Sequence, residues 1–123
     1  MKRAALVVLF LSLTALAGAR LGLAVFVPPP ADRAEALYVT AIRDHRPALL
    51  HDAAAAWKDA LAWSPADPFA WSGLAWTEAA RGAPAPYVDR LMGRAAALGP
   101  HVPEIARARA LWESRRRPAE PAP

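Results

Sequence analysis

The chain of 123 residues contains no cysteine. This absence excludes disulfide bonds, thiolate catalysis, zinc sites with cysteine ligands and a lipid anchor attached to cysteine, and it leaves the redox compartment open. Phosphate-binding and hydrolase motifs such as G-x-x-x-x-G-K-[ST], G-x-G-x-x-G and G-x-S-x-G are also missing. His45, His51 and His101 lack the i, i+4 spacing of a zinc-binding helix. The sequence therefore predicts no catalytic site, no metal and no cofactor.

Lysine is scarce, with only Lys2 and Lys58, whereas arginine and alanine are abundant. The high pI of about 10.3 is compatible with a nucleic-acid partner at first sight. Between residues 31 and 112, however, nine basic residues are balanced by nine acidic ones. The excess of positive charge lies at the two ends of the chain, as in the arginine run at 115–117. Because nucleic-acid binders concentrate their cations on a folded face, we expect no nucleic-acid partner.

A long apolar run extends from residue 4 to residue 27, after Lys2 and Arg3, and two interpretations are open. As an uncleaved transmembrane anchor, the run is long enough to cross a hydrocarbon core of about 30 Å, with Arg20 reaching toward the headgroups. As a signal peptide, it would be cleaved after Ala19. Both interpretations place the rest of the chain in the bacterial periplasm, since the first positive charges stay cytoplasmic. The apolar stretch at 21–27 favours the anchor.

Prolines separate the remaining sequence into helical patterns. Residues 28–32 read as a proline-rich spacer, and apolar residues recur at helical spacing across a domain at 33–115. The predicted helices span about 33–44, 48–63, 68–81, 87–98 and 103–115. Asp32 and Asp67 are predicted N-caps, and Gly82 is a predicted C-terminal cap. Residues 116–123 are predicted to be a disordered tail because proline recurs there.

Two of these helices carry the same pattern, 35 residues apart. The first set is Ala53, Trp57, Ala60, Leu61 and Pro65, and the second is Val88, Met92, Ala95, Ala96 and Pro100. Self-similarity at this period indicates stacked helical hairpins.

Together with Trp71, Leu74 and Ala75 in the intervening helix, these spacings resemble the tetratricopeptide repeat, a two-helix unit of 34 residues. The resemblance covers about residues 33–113. Glu78 departs from it by replacing an aromatic residue, and we interpret this carboxylate as part of a solvated face. Arg107 also departs from it, since an apolar residue is expected there. The resemblance implies an all-α fold in which an N-terminal transmembrane helix precedes a short antiparallel hairpin array of about five helices.

In tetratricopeptide-like arrays, the first helices of the hairpins line a concave groove. Carried onto this chain, the resemblance places seven residues in that groove: Tyr38, Ile42, Phe69, Ser72, Trp76, Ile105 and Arg109. Trp76 lies about 140° around the helix from Trp71, away from the packed face. Because tryptophan anchors many interfaces, Trp76 is the leading candidate for partner contact. Trp57 and Trp71 are assigned to packing between hairpins.

The sequence thus predicts a non-catalytic, membrane-anchored adaptor of the bacterial inner membrane, whose periplasmic domain docks another protein in the groove. Residues 4–27 would contact membrane lipid, and self-association is open because so few hairpins are of marginal stability. The alternative is an accessory structural subunit of an integral membrane complex, with the transmembrane helix as its main contact. Trp76→Ala should impair the first function, and exchange of the anchor should impair the second.

Overall fold

The computed structural model describes residues 29–117. They form five helices joined by short turns: α1 Pro30–Arg43, α2 Leu49–Trp63, α3 Pro68–Ala80, α4 Ala85–Leu98 and α5 Pro103–Arg116. No strand occurs in this part of the chain. The predictions of an all-α fold and of five helices in this region are confirmed.

The five helices form a bundle compatible with a helical hairpin array. Each helix packs on its neighbours in the chain; in addition α1 contacts α3, and α3 contacts α5. Within residues 29–117, α2 and α4 do not contact each other. Helices α1, α3 and α5 therefore share one side of the molecule, as the first helices of successive hairpins do.

The internal similarity corresponds to equivalent positions in α2 and α4. Ala53 and Val88 are both completely buried, and their counterparts one turn later, Trp57 and Met92, are buried as well. Trp57, Val88 and Met92 belong to the same core cluster as Leu74 and Ala75 of α3, whereas Ala53 is buried outside that cluster. The helices that carry the two matched patterns, α2 and α4, thus pack on either side of α3.

Proline and aspartate set the start of α3 as the sequence predicts. Pro68 occupies the first turn, where its missing N–H leaves no helical hydrogen bond unmade. The Asp67 carboxylate accepts hydrogen bonds from the backbone N–H groups of Phe69, at 2.9 Å, and Ala70, at 3.3 Å. The N-cap therefore fixes where α3 begins and, with it, the position of the exposed Phe69.

Asp67→Ala is expected to lower the free energy of unfolding by about 1 kcal/mol, because the first turn of α3 loses the acceptor of two N–H groups. Urea unfolding followed by circular dichroism measures this loss. Asp59→Ala is the matched control, since Asp59 is exposed in the middle of α2. A cost at position 67 no greater than at position 59 would contradict the cap.

The C-terminus of α3 ends on a left-handed glycine. Gly82 has φ of 81°, and the N–H groups of Gly82 and Ala83 donate to the carbonyls of Ala79 and Glu78 at 3.1 and 3.0 Å. This is the double hydrogen bond of a Schellman motif, in which a glycine is favoured because it adopts positive φ without strain. The prediction for Gly82 is confirmed.

The start of α1 differs from its prediction. The helix begins at Pro30, inside the segment predicted as a spacer, and its N-cap Pro29 makes no side-chain hydrogen bond. Asp32 lies in the first turn and is not the cap. The reason is that proline at the first helical position has the required φ and needs no N–H acceptor.

The predicted fold class is wrong about the membrane-spanning helix. None of the helices in residues 29–117 has the length and apolar character needed to cross a membrane. Residues 4–27, where that helix was placed, lie outside the described residues, as do residues 118–123 of the predicted tail. The fold found is a helical hairpin bundle without a membrane-spanning element in its described part.

Glu78 is buried, contrary to its interpretation as part of a solvated face. Only 5% of the residue is exposed, and both carboxylate oxygens accept from one guanidinium nitrogen of Arg81 at 3.0 Å. Lys58 of α2 approaches the same carboxylate at 3.8 Å. The aromatic position of the repeat pattern is thus filled by an ion pair that connects α2 to α3.

Candidate interaction surface

Four of the seven predicted groove residues line one cavity. Tyr38 of α1 and Phe69, Ser72 and Trp76 of α3 surround a cavity of about 290 Å³ on the side shared by α1 and α3. Glu35, Val39, Trp57 and Gly73 complete its lining. We call this cavity the α1–α3 groove. Its lining is mainly aromatic and apolar, as expected of a surface that buries side chains of another molecule.

Two large apolar side chains at the rim of the α1–α3 groove remain exposed to solvent. Val39 is 47% exposed and Phe69 is 52% exposed, on opposite helices. Single exposed apolar residues are ordinary, but here two of them flank a concave aromatic surface. The rim therefore offers apolar area that only an additional molecule or segment can cover.

The floor of the groove is made by Trp57 and Gly73, neither of which sequence reasoning placed there. Trp57 is 7% exposed, and its ring lies so close to Gly73 that a Cβ atom there would be 2.4 Å from Cζ2 of the indole. The absence of a side chain at Gly73 lets α3 approach α2. A glycine in the middle of a helical pattern was the available signal, because it weakens a helix unless close packing requires it.

Trp57 also has an unpaired polar atom. Its indole Nε1 is buried without a hydrogen-bond partner, which holds for no other buried side-chain nitrogen or oxygen in residues 29–117. A buried donor without an acceptor costs about 1–3 kcal/mol. Trp57, which forms part of the groove floor, therefore has an unsatisfied hydrogen-bond donor.

Trp76 lies at the end of the groove nearest to α5 and is partly covered. Its ring meets the Trp112 ring edge-on, with centroids 6.4 Å apart, and the Arg115 guanidinium lies 5.1 Å from its centroid. Sequence reasoning placed Trp76 away from the packed face, whereas the ring is half-buried and packs against the core as well. Trp76 thus lines the groove and is also partly covered by Trp112 and Arg115 of α5.

Tyr38 of α1 lines the groove on the side opposite α3. Burial raises the pKa of Tyr38 above its ordinary value, and the positive charge of Arg115 opposes this rise. The phenol is therefore protonated at neutral pH and available as a hydrogen-bond donor. The Arg115 guanidinium that opposes the rise is the one that lies against the Trp76 ring.

The remaining three predicted residues do not join the groove. Ile42 borders a separate hollow at the turn between α1 and α2. Ile105 and Arg109 line another hollow between α4 and α5, where Ile105 is only 3% exposed. The resemblance carried Ile105 and Arg109 of α5 into the predicted groove, but Ile105 is buried and so does not present its side chain at an open surface.

The position of α5 depends on Asp89 of α4. The Asp89 carboxylate accepts a hydrogen bond of 2.7 Å from Nε1 of Trp112 and forms an ion pair with Arg116. Ile105 is the only buried residue of α5. Because so little apolar surface holds α5, these polar contacts determine where Trp112 meets Trp76.

The attachment of α5 is expected to resist acid. The pKa of Asp89 is lowered, first by the hydrogen bond from Trp112 and further by the charge of Arg116. A lowered pKa means that the stabilisation is complete above the ordinary aspartate value near 3.8 and is lost only as pH falls through the lower folded-state pKa. In NMR spectra, the Trp112 indole N–H signal should therefore keep its position down to about pH 4.

Asp89→Asn is the control for this titration, because the amide keeps an acceptor for Trp112 but removes the titrating charge. In this variant the Trp112 signal should no longer move between about pH 4 and the acid limit of folding. If the wild-type Trp112 signal already shifts at a pH near or above the ordinary aspartate pKa, the lowered pKa of Asp89 would be contradicted.

Comparison with known proteins finds no family model, curated protein or solved structure that matches this chain. The resemblance to the tetratricopeptide repeat thus rests on the residue pattern and on the arrangement of the five helices.

Proposed function

We propose that this chain is a non-catalytic protein-interaction module, built as a tetratricopeptide-like hairpin array, that docks a segment of a partner protein in the α1–α3 groove. The observation that carries the proposal is the convergence of Tyr38, Phe69 and Trp76 on one concave surface. These residues come from two helices separated by α2, so only the folded array brings them together. Aromatic residues around a cleft are the residue types that dominate binding energies.

The rim of the groove supports docking over simple packing. Phe69 and Val39 are each about half exposed, although Ala70 next to Phe69 is almost completely buried. The N-cap at Asp67 and the close approach of Gly73 to Trp57 fix α3 and the floor of the groove, so this part of the surface is formed before a partner arrives. A preformed surface loses less conformational entropy on binding.

Affinity capture with the full-length chain from an extract of its own cells tests the proposal. We expect a specific partner protein to be recovered and to be lost with Phe69→Ala and with Trp76→Ala. The matched control is Trp63→Ala, because Trp63 lies at the end of α2 and does not line the groove. Phe69→Ala is the decisive variant, since its half-exposed ring contributes little to the core, whereas Trp76 also packs on Trp112.

Circular dichroism of each variant shows whether the helices are retained. A partner recovered equally with wild type, Phe69→Ala and Trp76→Ala would overturn the proposal, because the contact would then lie on another surface. A partner that is lost only with Trp63→Ala would also overturn the proposal.

A further inference from the structure

A hollow of about 460 Å³ lies between α4 and α5, and it shares no lining residue with the α1–α3 groove. We call it the α4–α5 hollow. Four of its lining residues form one exposed face of α5, since they recur three or four positions apart: Ala106, Arg109, Ala110 and Glu113.

This exposed face of α5 corresponds to a buried face of α3. The two helices are related by the same 35-residue period as α2 and α4, and each begins at a proline, Pro68 and Pro103. At this period three residues of α3 correspond to three of the α5 face: Leu74 to Arg109, Ala75 to Ala110 and Glu78 to Glu113. The three residues of α3 are at most 5% exposed. The same positions are therefore covered in α3 and open in α5.

The difference comes from the neighbours of the two helices. α3 lies between α2 and α4, which pack on either side of it. α5 packs on α3 and α4, and no helix follows it within residues 29–117. In an array of stacked hairpins, each unit buries its face only against a neighbour. The face of α5 in the α4–α5 hollow thus lacks the second neighbour that α3 has.

The charges on this face are self-complementary. Arg109 and Glu113 form an ion pair of 3.0 Å along the helix, and each side chain is 52% exposed. A second α5 that runs antiparallel to the first presents the same two charges in reverse order, so Arg109 of each copy faces Glu113 of the other. Two-fold symmetry forms this contact twice. Antiparallel is also the direction that short turns impose on successive helices of the array.

We propose that α5 of a second copy of this chain covers the α4–α5 hollow, so that two copies form an antiparallel, two-fold symmetric dimer. Ala106 and Ala110 let the two helices approach closely, because their side chains end at Cβ. A helix with charges of one sign would leave Arg109 or Glu113 facing a like charge, which is unfavourable at an interface. None of these residues lines the α1–α3 groove, so the dimer is independent of the function proposed above.

Analytical ultracentrifugation of the full-length chain, in a mild detergent and over a range of concentrations, tests the dimer. Wild type should show a monomer–dimer equilibrium. Glu113→Arg should weaken the dimer at least about tenfold, because arginines then face each other across the interface. Arg109→Glu should have the same effect through facing carboxylates. An equal mixture of these two variants should form dimers again, because one copy then carries two arginines and the other two glutamates.

Arg107→Glu is the matched control and should leave the dimer unchanged. Arg107 is exposed on α5 and does not line the α4–α5 hollow, and its replacement makes the same charge change as Arg109→Glu. The indole N–H signal of Trp112 in NMR spectra shows whether α5 stays attached to α4 in each variant.

A monomeric wild type would overturn the proposal and leave the hollow to a different protein or to another segment of this chain. A dimer that is equally stable in wild type and Glu113→Arg would overturn it as well, because the copies would then associate through another surface. The same conclusion follows if the two charge variants keep α5 attached and do not pair in the mixture.

Discussion

Gly73→Ala is expected to destabilise the chain by about 2 kcal/mol or more, although alanine is the better helix former. The new Cβ atom would lie 2.4–2.7 Å from three carbon atoms of the Trp57 ring, closer than van der Waals contact permits. Trp57 is buried between α2 and α3, so its ring cannot move away without opening the core. Overpacking of this kind costs about 1–3 kcal/mol and occasionally more, which exceeds the helix-propensity gain of about 1 kcal/mol.

Gly93→Ala is the matched control for this effect. Gly93 is also in the interior of a helix, but a Cβ atom there meets nothing within 4 Å. This variant is expected to gain up to about 1 kcal/mol from helix propensity. Urea unfolding of both variants measures the difference, and equal changes at the two glycines would show that Gly73 is not a packing site.

A double-mutant cycle separates the clash from other effects of the substitution. In a Trp57→Ala background, the ring that blocks the Cβ atom is absent, so adding Gly73→Ala should cost nothing further. Residues in contact commonly show coupling energies of about 0.5–3 kcal/mol. Additive effects of the two substitutions would contradict direct contact between Trp57 and Gly73.

Glu78→Lys, like Gly73→Ala, is expected to have a large effect on stability. It should lower the free energy of unfolding by about 3 kcal/mol. The carboxylate at position 78 is buried and pairs with Arg81 and Lys58, so a lysine there would place three cations together. Breaking a buried ion pair costs about 3–5 kcal/mol. The lower part of this range applies, because the Lys58 side chain is 57% exposed and can move into solvent.

Asp59→Lys provides the control, since it makes the same charge change on the exposed side of α2. Exposed substitutions usually change stability by no more than about 0.5 kcal/mol. Thermal unfolding of the two variants at equal ionic strength compares them. Similar losses at positions 59 and 78 would mean that Glu78 behaves as a surface charge, as the sequence had indicated.

The helices and their order follow from local sequence. Pro68, Asp67 and Gly82 act within a few residues of their own positions, through fixed φ angles and capping hydrogen bonds, so their effects are visible without a fold. The start of α1 was misplaced because both Pro30 and Asp32 can begin a helix, and local rules alone do not rank them. The repeat at 35 residues showed which positions of α2 and α4 are equivalent.

The candidate site was predicted only in part, because its composition depends on tertiary packing. Tyr38 and Trp76, from two different helices, line the same cavity. Ile105 turns inward, since α5 has one buried apolar anchor and is held by Asp89 through Trp112. No spacing rule predicts a hydrogen bond between residues so far apart in the chain. The floor at Gly73 and the ion pair of Glu78 depend on contacts with α2 and were missed for the same reason.

Site-specific photo-crosslinking tests most directly whether the α1–α3 groove contacts a partner. A photoreactive phenylalanine analogue would replace Phe69 at the groove rim in the full-length chain, or Ala62 on the exposed side of α2 as a control. Irradiation in cells should give a discrete partner adduct from position 69 and none from position 62. An adduct from position 62 alone, equal adducts from both, or none from either would contradict the account.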